Sequence, residues 1–493
     1  MKHVFLLIGL LTVGLAIPAH AHVGNKDVFE QVNAGPYILF VTIRTPTVIP
    51  GVATVEVRTS GPTVQSIQIT PLPLTGEASL HPPTADPMHA SADDPAFFTG
   101  SLWLMASGSW QVRLQAEGSA GPATASVPVP AVPIAVLTMQ RPLGIILGVL
   151  GLILTLGMAG IVAAAVREAR LTPGLSPTTA RRRRALIASA ATLALMAFLI
   201  FAGDKWWNVE AADYAADIYH PSTLYANLSA DTLDLTIGNL VVKQNRFRTD
   251  SINELLPDHG HLMHLYAIRE PEMDAVFHLH PSQASEEHLS LALPAMPPGT
   301  YKLYADIVRV NGFPETLTST LTIPPGLSPA PLSSEDASAA PPPLSAGDLG
   351  PSCKLPDGYT MQWDRPAEIT ANTAYSFRFR LLDPAGHPAA DMQPYLGMAG
   401  HAAFVKTDGT AFAHTHPEGS AAMPAVMIAN PALGDGATDS VSGMPGMGAS
   451  PAPISPNVEF PYGFPSPGRY RIFIQMKHGN TVETGIFDAE VRP

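Results

Sequence analysis

Cysteine is almost missing from this chain: Cys353 stands alone among 493 residues. That excludes a disulfide scaffold, an iron–sulfur cluster and a zinc site built on cysteine. Charge is scarce too, at 14% of residues, with 28 Lys and Arg against 41 Asp and Glu. A formal net charge of -13 lacks the basic footprint that phosphate contacts need, which argues against nucleic acid as a partner. No G-x-S-x-G, no P-loop and no strand–helix G-x-G-x-x-G is present. The 50 prolines argue against a long helical bundle, because each interior proline removes a helix hydrogen bond. What remains in excess is apolar sequence, turn residues and 17 histidines.

The apolar excess falls in three places. Lys2, an apolar run from Val4 to Ile17 and the Ala19-His20-Ala21 site read as a signal peptide over residues 1–21, with His22 as the mature N-terminus. Residues 142–166 and 185–203 are uncharged and long enough to span a bilayer. The loop between them, 167–184, carries Arg181-Arg182-Arg183-Arg184 and is expected on the cytoplasmic side by the positive-inside rule. The modules on either side then face the periplasm of a bacterial inner membrane, with the lipid bilayer as one partner.

The exported sequence alternates with a period of two between Pro and Gly turns. The fold class expected is mainly β: three exported Ig-like β-sandwich modules plus a two-helix transmembrane hairpin. The first module covers residues 22–133, the second 221–324 and the third 354–493. Residues 325–352, rich in Pro, Ser and Ala, are expected as a linker. Residues 418–457 are expected as a flexible insertion; Met423, Met427 and the Met444–Met447 run fall there, and thioethers suit Cu(I).

The second and third modules repeat a pattern. His264 leads through a turn to Phe277-His278-Leu279-His280-Pro281, and His401 leads through Asp408-Gly409 to His414-Thr415-His416-Pro417. Residues i and i+2 of a strand share a face, so each H-x-H pair is adjacent. Counting back from Asp408-Gly409 sets His401 opposite His416, with His414 diagonal. A three-residue loop near Pro271 sets His264 opposite His278 or His280. Each hairpin thus presents three imidazoles, which suit copper or, as the alternative, zinc. Asp306, on the returning strand, is a candidate fourth ligand; the aligned residue in the other copy is Gln475. His261 and Met398 rank second, because an unbroken strand points them away, and Asp258 and His259 rank below them. The blander account is a hydrogen-bonded surface cluster, and a pH switch is a third.

At the mature terminus, His22 could chelate copper through its α-amino group and ring, as in the histidine brace of copper carriers and copper oxygenases. His81, His89, Asp93, Asp94 and Asp27 are the candidate completing ligands, and none has a diagnostic spacing. Cys353 is assigned no role. The export signal, the sandwiches and the H-x-H hairpins together resemble YtkA/FixH-like and copper-carrier-like envelope proteins. The resemblance implies copper binding and delivery rather than catalysis, to a membrane metalloprotein or a copper transporter. The other expectations are a copper-dependent oxidative enzyme with an N-terminal brace, and an assembly or adhesion scaffold with structural histidines.

Overall fold

The computed structural model describes residues 27–172, 174–238, 254–431 and 454–493. The expected signal peptide, His22 and the Met444–Met447 run lie outside these residues. The chain is mainly β, with two apolar helices, and divides into two compact units.

One unit spans residues 133–219. Its helices α1 (Arg141–Glu168) and α2 (Thr179–Ala216) are long and apolar enough to cross a membrane, with mean hydropathy 2.6 and 2.4 over their most apolar stretches. The Arg-rich connection is shorter than expected. The Thr178 side chain accepts a hydrogen bond from the Arg181 backbone N–H, so helix begins before the arginines and winds them into its first turns. α2 also runs past the expected end at residue 203, since Asp204–Ala216 contains neither Pro nor Gly to stop it.

The other unit holds the β structure, arranged as sandwich-like pairs of sheets. In the N-terminal module, β1 (Val28–Ala34) joins Tyr37–Arg44, Gly51–Ser60 and Phe97–Leu104 in one sheet. Val64–Pro73, Gly108–Gly118 and Gly121–Ala131 form the opposing one. The period of two is literal: Ala53, Val55 and Val57 point inward while Thr54 and Arg58 face out.

The next module pairs a small sheet (Thr223–Ser229, Thr232–Gly238, His288–Ala292) with a larger one. The larger contains β2 (His264–Glu270), β3 (Val276–Leu279), β4 (Gly299–Arg309), β5 (Pro314–Ile323) and β6 (Ala337–Ala339). In the last module, Thr360–Trp363, Tyr375–Leu382 and Asn457–Tyr462 face a sheet containing β7 (His401–Lys406), β8 (Phe412–Thr415), β9 (Gly468–His478) and β10 (Thr481–Arg492).

Two expectations about connecting segments are corrected. Residues 325–352 are more than a linker: β6 lies in them and pairs with β3, placing Ala337 opposite His278. Edge pairing uses backbone groups, so a segment poor in bulky side chains can still dock. The insertion is also partly fixed. Residues 418–431 lie on the N-terminal module, where Gln31 N–H donates to the Glu418 carbonyl at 2.6 Å and Phe29 N–H to the Ser420 hydroxyl at 3.0 Å. Gly419 is pressed so close to Phe29 that a Cβ would meet its carbonyl oxygen at 2.2 Å. A short helix, α3 (Met423–Ala429), follows, and Asn430 hydrogen-bonds both backbone groups of Ser126.

The two histidine-bearing sheets pack on each other. In β2, Leu265 and Ala267 enter their own module's core, whereas Tyr266 and Ile268 join Ala403, Val405, Phe412 and Phe473 of the other module in a shared cluster. Both faces are dry, which accounts for the near-continuous apolar runs in β2 and β7. Tyr304 stacks on Phe412 with ring centroids 4.4 Å apart. The fully buried Arg471 binds Asp488 at 2.9 Å and donates to the carbonyls of Met273 and Pro342 across this contact. The histidines stand at the end of the same interface.

Candidate metal centre

Hairpin register brings the expected residues together. β2 and β3 pair Leu265 with Leu279 and Tyr266 with His278, so His264 falls opposite His280, one of the two arrangements expected. β7 and β8 pair Ala402 with Thr415, which continues to His401 opposite His416, as the Asp408-Gly409 turn requires. Across the returning strands, His264 pairs with Asp306 and His401 with Gln475.

In the first group, His264, His278 and His280 are all buried, and their ring nitrogens lie within 4.8 Å of one another. Each ring has its outer N–H taken by an acceptor. His264 Nε2 donates to the Asp258 carbonyl at 3.1 Å, His278 Nδ1 to Gln475 Oε1 at 2.8 Å, and His280 Nδ1 to Asp336 Oδ1 at 3.0 Å. A neutral imidazole has one donor and one acceptor nitrogen. The inward atoms are therefore three lone pairs: His264 Nδ1 stands 3.1 Å from His278 Nε2 and 3.2 Å from His280 Nε2. Lone pairs so placed repel unless a cation lies between them. Those spacings approach the ~3.3 Å edge of a tetrahedron with bonds of about 2.0 Å.

The second group differs from expectation in membership. His259, His401 and His416 bring their ring nitrogens within 4.8 Å, and His259 Nε2 lies 3.3 Å from His416 Nε2. His414 belongs to neither compact trio. Its Nδ1 faces Asp306 of the other module at 3.3 Å, while its Nε2 is buried without a hydrogen-bond partner among the described residues. Asp306 accordingly serves as a cross-module partner, also held by the Thr316 hydroxyl, rather than as a ligand beside His264. Gln475 does the same in the opposite direction through His278. Each copy thus lends its returning-strand residue to the other copy's H-x-H.

The underranked residue is His259. A tight turn closes between Asp258 and His261, with His259 at φ 50°, and sends the ring across the module boundary. The unbroken strand assumed from sequence does not exist there. The same turn recurs at Tyr395–Met398, with Leu396 at φ 51°. An x-Gly pair five residues before each leading histidine, His259-Gly260 and Leu396-Gly397, was the available signal. His261 stacks on His280 at 4.1 Å and meets Glu335 at 3.0 Å, so it borders the site.

The groups adjoin, with His259 and His264 ring centroids 6.1 Å apart and His278 and His401 6.3 Å apart. Burial first, and then the neighbouring imidazoles, hold His264, His278, His401 and His416 well below the ordinary histidine range. Burial lowers His259 to about 3, and lowers His280 against the opposing pull of Asp336. Burial also raises the Asp258 carboxyl to about 7. The rings are thus kept neutral, the form that binds metals.

In the N-terminal module, His81, His89 and Asp93 are exposed, Asp94 pairs with Arg58 at 2.7 Å and Asp27 with Arg44 at 3.3 Å. These side chains form no metal-ligand group among the described residues.

The profile of a domain of unknown function (DUF8832) matches residues 230–324 and 354–493, the stretches that carry both hairpins. The search of curated proteins gave no match. Among solved structures, an engineered protein is 21% identical over 19% of this chain and 20% of its own, with a TM-score of 0.15. A tetra-tandem repeat from the extending region of a large adhesion protein is 8% identical over 91% and 72%, TM-score 0.17. Dimeric latent PorU from Porphyromonas gingivalis is 9% identical over 95% and 34%, TM-score 0.14.

Proposed function

We propose that this is a membrane-anchored envelope protein that binds copper in a paired imidazole site between two Ig-like modules, for handling or delivery rather than catalysis. The observation that carries the reading is the convergence of the His264, His278 and His280 lone pairs, with every outer N–H already engaged by Asp258, Gln475 or Asp336. Outer acceptors that orient imidazoles in this way are the usual second layer of a metal site. Beside them, His401 is buried with neither ring nitrogen hydrogen-bonded among the described residues. A neutral ring there leaves one donor and one lone pair unmet, each at a cost of about 1–3 kcal/mol, and a bound cation would relieve the lone pair. An all-nitrogen set suits copper and zinc over magnesium or calcium.

In this reading α1 and α2 span the inner membrane, the modules stand on its outer side, and His22 adds a further copper position. The YtkA/FixH-like resemblance belongs to the same proposal, as does a membrane metalloprotein or copper transporter as recipient. The test is metal analysis of the full chain in detergent after equilibration with Cu(II) and Zn(II) in competition. The expected result is copper in the parent and loss of that copper in His264→Phe/His278→Phe/His401→Phe/His416→Phe. Equal copper in parent and variant would overturn the site; zinc retained in place of copper would overturn the choice of metal.

A further inference from the structure

A second kind of ligand cluster lies elsewhere in the last module. His478 ends β9 and Glu483 lies early in β10, just past the Gly479 turn. The register pairs His478 with Thr481 and Met476 with Glu483, which puts His478 and Glu483 diagonally on one face. Asp357, in the turn before Thr360–Trp363, closes the group, and the three ligand atoms lie within 4.8 Å of one another. His478 and Gln475 are three residues apart on the same strand. They therefore point to opposite faces, about 10 Å apart along the chain, and this cluster does not share the imidazole site.

The tautomer of His478 can be read from its partners. Its Nδ1 lies 3.2 Å from Asp391 Oδ2, which can only accept, so Nδ1 carries the proton. The Asp391 oxygen is fixed in turn by the Tyr359 hydroxyl at 3.2 Å, and the Tyr359 ring stacks on His478 at 3.9 Å. In the neutral ring the lone pair is then on Nε2. That atom is buried, has no hydrogen-bond partner among the described residues, and stands 2.8 Å from Asp357 Oδ2. In that form the lone pair and the carboxylate oxygen oppose each other unless a proton or a metal ion joins them.

We propose that His478, Asp357 and Glu483 form a divalent-cation site, with Asp391 orienting the imidazole from behind. One nitrogen and two carboxylates are a ligand set for Zn(II) or a similar borderline divalent ion, and a poor one for Cu(I). The carboxylate behind the ring is the arrangement that fixes a metal-binding histidine. Asp357 is exposed, so the ion has a direct path from solvent.

The experiment is calorimetric titration of the metal-stripped full chain in detergent with Zn(II) alone, in the His264→Phe/His278→Phe/His401→Phe/His416→Phe background. One Zn(II) is expected to bind in that background, so failure of the copper reading leaves this site testable. Adding Asp357→Asn/Glu483→Gln should abolish the event, and Asp357→Asn alone, which keeps an oxygen for the Tyr359 N–H that Asp357 Oδ1 accepts at 3.1 Å, should weaken it about tenfold or more. No binding in the background chain, or unchanged binding in Asp357→Asn, would overturn the site.

Discussion

The two histidine hairpins share one register and differ in how their rings are supported. Around His264, His278 and His280 each outer N–H has a fixed acceptor, and the three lone pairs converge before any ion arrives. Around His401, both ring nitrogens are buried and unpaired among the described residues, as is His414 Nε2. The first half is preorganised, and the second carries a polar burden that only a ligand relieves. The returning strands differ in the same sense: Asp306 brings a charge to His414, and Gln475 brings a neutral amide to His278.

Acid should affect both halves most. Imidazoles held below their ordinary pKa are neutral in the folded chain and protonate on unfolding. Their contribution is fully present above about pH 6.5 and is lost as the pH falls below it, at about 1.4 kcal/mol per pH unit for each ring. For His259 that loss continues down to about pH 3. Urea denaturation of metal-free protein between pH 7.5 and 5 should show this steep loss; a flat profile would mean that the rings are charged in the folded state.

Substituting the leading histidines should separate the halves by sign. His264→Phe leaves the Asp258 carbonyl with the His261 N–H alone and should destabilise the metal-free chain by about 1 kcal/mol. His401→Phe removes two unpaired nitrogens and should be neutral or stabilising. Equal losses in the denaturation midpoint would erase the contrast.

The smallest effect should come from exchanging the supports. Gln475→Glu puts a carboxylate behind His278 and should tighten copper at the first half by about tenfold, read by competition with a chromophoric chelator. Unchanged affinity would show that the amide already does what a carboxylate can.

Most of the β architecture was legible because alternation and turn chemistry are local. Asp408-Gly409 fixed the His401–His416 register, and Val52–Arg58 showed its inward face outright. The cross-module exchange was not legible, because neither Asp306 nor Gln475 carries any mark of which sheet it will meet. His259 was undervalued for a related reason: a turn with positive φ reverses the direction that strand periodicity assigns. β6 was missed because edge pairing needs backbone, and composition reports side chains.

The docking of Glu418–Ser420 on β1 has a consequence for how the chain is made. Phe29 and Ser420 are separated by 391 residues, so that contact can form only when nearly the whole polypeptide has been synthesised. Until then β1 waits with an unfilled edge, and the loop that follows His416 has nothing to hold it. The last module therefore closes the structure that the first one opens, and a chain truncated before residue 418 would leave both β1 and the metal centre unfinished.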